Sequence, residues 1–276
     1  MRYDVNLSML FTELPLLERP AAARAAGFDA AELWWPFSVP APGDREIDTL
    51  LRAFTDAGVR LVGLNFDAGD MASGDRGLLS RPDDSARFRA NIDVAAGIAE
   101  ATGCKVLNAL YGNRVPDLDI RFQEELAIAN LALAAEAALR CAATVVIEPL
   151  NSYENPDYPL NSSEAALFIA DRVRAQAGVA NVALLADLYH LARMGEDPLT
   201  VIERYAHRFG HVQIADSPGR GRPGTGEIDY DPVLDALEAS AYAGHVGLEY
   251  KPAGPGADDF GWLRSRLRRE PIGEST

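Results

Sequence analysis

Cysteine and histidine are scarce in this chain and positive charge is outnumbered, and each shortage narrows what the protein can be. Only Cys104 and Cys141 occur, which fits reduced thiols and a cytoplasmic setting. Lys and Arg total 26 against 41 Asp and Glu, and the resulting net charge of −15 repels nucleic acid and anionic membranes unless a local patch overrides it. No apolar run reaches the roughly 18 residues of a membrane span, and the start Met1-Arg2-Tyr3-Asp4 lacks the apolar core of a signal peptide. No Gly-x-Gly-x-x-Gly follows the first strand, where a dinucleotide-binding fold needs it. The glycine-rich stretch from Gly219 to Gly226 lacks the lysine-serine ending of a phosphate-binding loop.

What is present is apolar and regular. Hydrophobic residues make up 48% of the chain, enough for a full core. Short apolar runs alternate with alanine-rich amphipathic segments, the pattern of a parallel sheet covered by helices. Strands are expected at Tyr3–Leu7, Ala30–Leu33, Arg60–Leu64, Lys105–Ala109, Thr144–Glu148, Val182–Asp187, His211–Ala215 and Val246–Tyr250. Helices are expected at Leu16–Ala26, Asp44–Ala57, Asp83–Thr102, Leu118–Cys141, Ser163–Ala177, Pro198–His207, Pro232–Ala241 and Asp258–Arg268. Glycine follows several of them, at Gly27, Gly58, Gly103, Gly178 and Gly244, where a left-handed cap suits a residue without Cβ. Eight such units predict an α/β fold, a single (β/α)8 TIM barrel over 1–276 with its active site at the C-terminal ends of the strands. The arginine-rich tail Arg264–Arg269 reads as the solvated face of the last helix.

The stretch Val145-Val146-Ile147-Glu148-Pro149-Leu150-Asn151 organises the rest: a buried strand carries Glu148 to its mouth and Pro149 stops the pairing. Asp187, Gln213 and Glu249 recur at or near the exits of the next three strands, so a closed barrel gathers all four around one opening. Three carboxylates and an amide oxygen, without thiolate or a histidine cluster, suit a hard divalent cation such as Mg²⁺ or Mn²⁺. The competing reading is that strand-end acids cap the helices that follow.

The motifs Glu148-Pro149-Leu150-Asn151, Asp187-Leu188-Tyr189-His190, His211-Val212-Gln213-Ile214-Ala215-Asp216, Pro218-Gly219-Arg220 with Pro223 to Tyr230, and Gly247-Leu248-Glu249-Tyr250-Lys251-Pro252 carry a resemblance over nearly the whole chain. It resembles the hydroxypyruvate isomerase family and, more broadly, the xylose-isomerase-like barrels that include ketose 3-epimerases and endonuclease-IV-type enzymes. The resemblance implies a metal-dependent isomerase interconverting hydroxypyruvate and tartronate semialdehyde. Glu148, Asp187, Gln213 and Glu249 would be metal ligands, Glu148 and Glu249 would also transfer protons, and His190 and Arg220 would touch substrate. The sugar epimerases of this superfamily usually have histidine where Gln213 stands. Glu154 follows the Glu-Pro-Leu-Asn motif at a spacing where related epimerases use a glutamate, and reads equally as a loop acid near Pro156. Barrels of this type often self-associate, and the sequence names no interface for a homo-oligomer.

Moving a carbonyl to the adjacent carbon requires a base beside a carbon-bound proton and positive charge beside the oxygens. Three carboxylates and one divalent ion leave about −1, so an anionic 2-oxo acid needs a cation as well. Arg220, whose planar fork matches a carboxylate, is the first choice, with Arg222 and Lys251 behind it. Trp34, Trp35 and Tyr111 either wall the pocket or pack helices. His190 is expected in the loop above the mouth. His207 is expected on a helix, and His211 and His245 at the far, stabilising end of the barrel. Rival readings are a ketose 3-epimerase acting on neutral sugars, an endonuclease-IV-like nuclease and a non-catalytic sugar-binding barrel. The nuclease would need a histidine-rich multi-zinc site, and the chain has four histidines in all.

Overall fold

Apolar runs of three to six residues, buried along most of their length, can satisfy their backbone only by pairing with one another and can cover their outer face only with helices. In the computed structural model, which describes residues 1–254 and 260–263, that requirement is met by a closed parallel barrel in strand order one to eight. The strands are β1 Arg2–Asn6, β2 Ala30–Leu33, β3 Arg60–Asn65, β4 Val106–Asn108, β5 Thr144–Ile147, β6 Val182–Asp187, β7 Phe209–Ile214 and β8 His245–Leu248. β8 pairs back onto β1 with Asp4 opposite Gly247. Around them run α1 Arg19–Ala25, α2 Asp44–Ala57, α3 Ser85–Thr102, α4 Ile120–Leu139, α5 Ser163–Ala177, α6 Leu188–Arg193, α7 Pro198–Tyr205 and α8 Tyr230–Ala239.

All eight expected strands are present, β2 and β6 with the expected bounds and the others with ends shifted by at most two residues. Beyond end shifts of up to three residues in α1, α3, α4 and α7, the helical expectation needs three corrections. The first is α6, where a loop was expected: the Asp187 carboxylate caps Tyr189 and His190, and one and a half turns of helix follow at once. The second is α8, which starts two residues early because Asp229 caps it through the Asp231 N–H. The third is Gly244, which does not end α8. It has ordinary φ, and a Cβ there would come within 2.3 Å of the Tyr242 hydroxyl, which would have to shift. The other four glycines named above do take left-handed φ. The expected helix Asp258–Arg268 and the tail Arg264–Arg269 lie outside the described residues except for 260–263, where Phe260 and Leu263 are buried.

Candidate active site

Glu148 and Glu249 each stand one residue beyond their strand, Asp187 ends β6, and Gln213 is next to last in β7, opposite Asp187 in register. All four are 5% exposed or less. The barrel therefore brings the four expected ligands to one end and removes them from water. Glu148 is held by Asn108, whose Nδ2 donates to Oε2 at 2.8 Å, and its backbone carbonyl accepts from the Tyr158 hydroxyl at 2.9 Å.

Asp187 divides its oxygens between the two competing readings. Oδ1 caps α6 at 2.9 Å from the Tyr189 N–H, while Oδ2 is buried with no hydrogen-bond partner. Gln213 divides its carboxamide likewise: Nε2 donates to Glu32 Oε1 at 2.7 Å and Oε1 is buried without a partner. A buried acceptor left unsatisfied costs about 1–3 kcal/mol, so two of them in one place call for a missing electropositive group. Ligand atoms of Glu148, Asp187 and His190 lie within 4.8 Å of one another. Burial, followed by the charges of Glu249 and Asp187, pushes the Glu148 carboxyl well above the usual carboxylate range. Burial likewise raises Asp187, against the pull of Arg220. Packed carboxylates that resist ionising together, with unused oxygens among them, form a donor set that fits a divalent cation.

Glu249 is engaged on both oxygens. Oε1 accepts from Asn6 Nδ2 and Trp34 Nε1, each at 2.9 Å, and Oε2 lies 2.6 Å from Arg220 Nη2. The same Nη2 is 3.8 Å from Asp187 Oδ2. Arg220 is placed by its loop: the buried Asp216 carboxylate accepts from the N–H groups of Gly224, Thr225, Gly226 and Ile228. The Lys251 N–H adds a bond to the Arg220 carbonyl at 2.7 Å. His190 Nδ1 accepts the Asn151 backbone N–H at 3.0 Å, so in the neutral ring the proton sits on Nε2. Burial, with Arg220 and Arg76 behind it, lowers the His190 pKa well below the ordinary histidine value. Its approaches to Asp187 at 3.7 Å and Glu148 at 4.0 Å are thus those of a neutral donor, not of an ion pair.

Glu148, His190, Arg220 and Glu249 line a cavity of about 430 Å³ together with Trp34, Glu154, Lys251 and Arg76. Glu154 Oε2 accepts from Asn151 Nδ2 at 3.0 Å and the Tyr189 hydroxyl at 2.9 Å, while Oε1 pairs with Lys251 at 3.6 Å. Of the three candidate aromatics, Trp34 lines this cavity. Trp35 packs edge-on against Phe37 in the neighbouring cavity, and Tyr111 faces a separate groove beside α4 and α5.

Several residues of the site escaped the sequence reading. Beneath the mouth, inside the barrel, Asp4, Glu32 and His211 form a second buried cluster. His211 was expected at the stabilising end, but its ring lies in the barrel interior with Nε2 at 2.7 Å from Glu32 Oε2. Gly247 makes the room, because a Cβ there would come within 3.0 Å of both Asp4 Oδ1 and Glu32 Oε1. A signal existed: an acid inside the short apolar run Ala30-Ala31-Glu32-Leu33 breaks the pattern of a buried strand. Asn6 and Asn108, amides at the ends of apolar strands, carried the same signal. Arg76 lies in the loop after β3 and had none.

The description "Xylose isomerase-like TIM barrel" matches residues 20–266. A "Putative hydroxypyruvate isomerase" of Streptomyces coelicolor is 56% identical over 270 residues, covering 97% of each chain. The "Hydroxypyruvate isomerase" of Escherichia coli is 34% identical, covering 91% of this chain and 94% of its own. Among solved structures, the "AP endonuclease, family 2 from Brucella melitensis" superposes with a TM-score of 0.86 at 34% identity, over 96% of this chain and 98% of that one. With an eight-stranded barrel and its carboxylates gathered at one mouth, the chain belongs to the hydroxypyruvate isomerase family of the xylose isomerase-like TIM barrels.

Proposed function

We propose that this protein is an isomerase that uses Mg²⁺ or Mn²⁺ to interconvert hydroxypyruvate and tartronate semialdehyde (2-hydroxy-3-oxopropanoate). The observation that carries the reading is the pair of buried, unpartnered oxygens, Asp187 Oδ2 and Gln213 Oε1, on paired strand positions next to Glu148, which with Glu249 lines a cavity also lined by cations. Glu148, Asp187, Gln213 and Glu249 would hold the ion, which when bound supplies the positive charge needed beside the carbonyl and hydroxyl oxygens of an α-hydroxy ketone. Charge then favours an acid as substrate. Glu148, Asp187, Glu249 and Glu154 are opposed by Arg76, Arg220 and Lys251, so a divalent ion leaves one net positive charge.

Glu148 and Glu249 share the proton transfers. Glu148 accepts a side-chain hydrogen bond from Asn108. It is the freer of the two to take the proton from C3 and return it at C2. Glu249, fixed by Asn6, Trp34 and Arg220, serves the hydroxyl proton. His190 Nε2–H donates to a substrate oxygen, Arg220 contacts the substrate beside Glu249, and Lys251 and Glu154 contact it from the rim.

The test is incubation of metal-loaded protein with hydroxypyruvate in D₂O, following the appearance of tartronate semialdehyde and deuterium at C2. Absence of turnover with either ion, alongside C3 exchange on a neutral ketose, would turn the assignment to a 3-epimerase. Nicking of abasic DNA would turn it to a nuclease.

A further inference from the structure

Resting on the 2-oxo acid reading, a question remains about which side chain receives the substrate carboxylate. Arg220 has its Nη2 committed to Glu249 at 2.6 Å with Asp187 at 3.8 Å, so its charge is set against the carboxylates, although its buried Nε has no hydrogen-bond partner. Lys251 is 59% exposed in its side chain and paired with Glu154. Arg76 differs from both. Its Nε donates to Asn155 Oδ1 at 2.6 Å, and its Nη1 donates to the carbonyls of Met71 and Asp75 at 3.0 and 2.7 Å. All three acceptors are neutral, they leave Nη2 out of these bonds, and among the described residues no carboxylate lies within ion-pair distance of Arg76. It is a part-buried guanidinium on the wall of the catalytic cavity without a counter-ion.

Its loop is also fixed. The Arg76 carbonyl accepts from the Gly112 N–H and the Gly77 N–H binds the Ala68 carbonyl, both at 2.9 Å. Gly77 has φ +102° and lies so close to the β4 exit that a Cβ would come within 2.0 Å of the Leu110 carbonyl oxygen. Asn155, which aims the guanidinium, is itself tied to the Asn151 carbonyl at 3.1 and 3.2 Å. A cation held in place by neutral acceptors has lost its side-chain freedom before any ligand arrives and retains its full charge for an anion.

We propose that Arg76 is the residue that binds the carboxylate of the 2-oxo acid, leaving Arg220 to act at the reacting end. The test compares hydroxypyruvate with hydroxyacetone, which keeps the same hydroxy ketone and replaces the carboxylate by a methyl group. A charge-assisted hydrogen bond is worth about 1.5–3 kcal/mol. Arg76→Gln should therefore lower kcat/KM on hydroxypyruvate about 10- to 150-fold. Turnover of hydroxyacetone and the Mn²⁺ affinity of the ligand-free protein should stay near wild type. Arg76→Lys, which keeps the charge without the fork, should recover part of the loss. Arg220→Ala should impair both substrates alike. Equal losses on both substrates for Arg76→Gln, a fall in Mn²⁺ affinity, or no loss at all would each overturn the assignment. Should the wild type turn over neither compound, the isomerase reading fails by itself. Calorimetric binding of pyruvate to Mn²⁺-loaded protein then decides about Arg76, since a dissociation constant unchanged by Arg76→Gln would overturn its role.

Discussion

Gln213 donates its amide nitrogen to Glu32 across the barrel interior at 2.7 Å, and this bond decides which way the carboxamide points. A carboxamide has no charge to orient it, so its two ends are told apart only by their partners. With Nε2 taken by an acceptor inside the barrel, Oε1 is the end left without a hydrogen-bond partner. Glu32 Oε1 also accepts from Asn6, which in turn reaches Glu249, so one buried carboxylate supports two of the expected ligands. Replacing Glu32 with Ala should weaken Mn²⁺ binding roughly 10- to 100-fold, the range seen when the supporting bonds of metal ligands are lost. Titration of Mn²⁺ into metal-free protein checks this, and an unchanged affinity in a folded variant would refute the orienting role.

Gln213→Glu changes the charge at the same spot. A fourth carboxylate should tighten the metal, but it would stand against Glu32 in a buried setting. The metal-free variant should therefore melt earlier than wild type, and added Mn²⁺ should raise its melting temperature by more than it raises that of wild type. Equal metal-induced shifts in the two proteins would argue that Gln213 is not a ligand.

Glu148→Gln and Glu249→Gln remove the two groups assigned to proton transfer while preserving shape. Loss of general acid–base catalysis is typically worth about 10²- to 10⁴-fold in rate. Each variant should lose at least that much in kcat on hydroxypyruvate, with weaker metal binding adding to the loss. Near-normal kcat at full metal occupancy in both would remove them from the mechanism.

A pH effect is expected at the other end of the barrel. His245 opens β8, and burial, then Arg2 and Arg60, lower its pKa from 6.5 to about 4. Between those values the unfolded chain binds a proton that the folded chain does not, so this residue makes stability rise with pH from about 4 to 6.5 and adds nothing further above. Subtracting the denaturation midpoints of His245→Asn from those of wild type across this range should expose that slope. Parallel curves would contradict it.

The sequence by itself determined the architecture and the chemical type of the residues gathered at the mouth. Apolar runs alternating with amphipathic segments have one economical way to bury both faces of each strand, and the end of a strand fixes where a residue such as Glu148 or Asp187 emerges. These are local properties, set by period and by stop signals such as Pro149, so they survive without any knowledge of neighbours. Boundaries that depended on a cap, as at α6 and α8, were less legible, because a carboxylate such as Asp187 gives no local sign of whether it will bond forward to a helix or outward to a ligand. In the structure one of its oxygens caps α6 and the other is left without a hydrogen-bond partner. Only the tertiary structure decided what each polar atom faces: that Gln213 is turned by Glu32, that Arg220 lies against Glu249, and that Arg76 has no counter-ion among the described residues. Glu32 and Gln213 are 181 residues apart, and Arg76 and Asn155 are 79 apart. No short-range pattern encodes such pairs, because barrel closure alone brings them within hydrogen-bond reach.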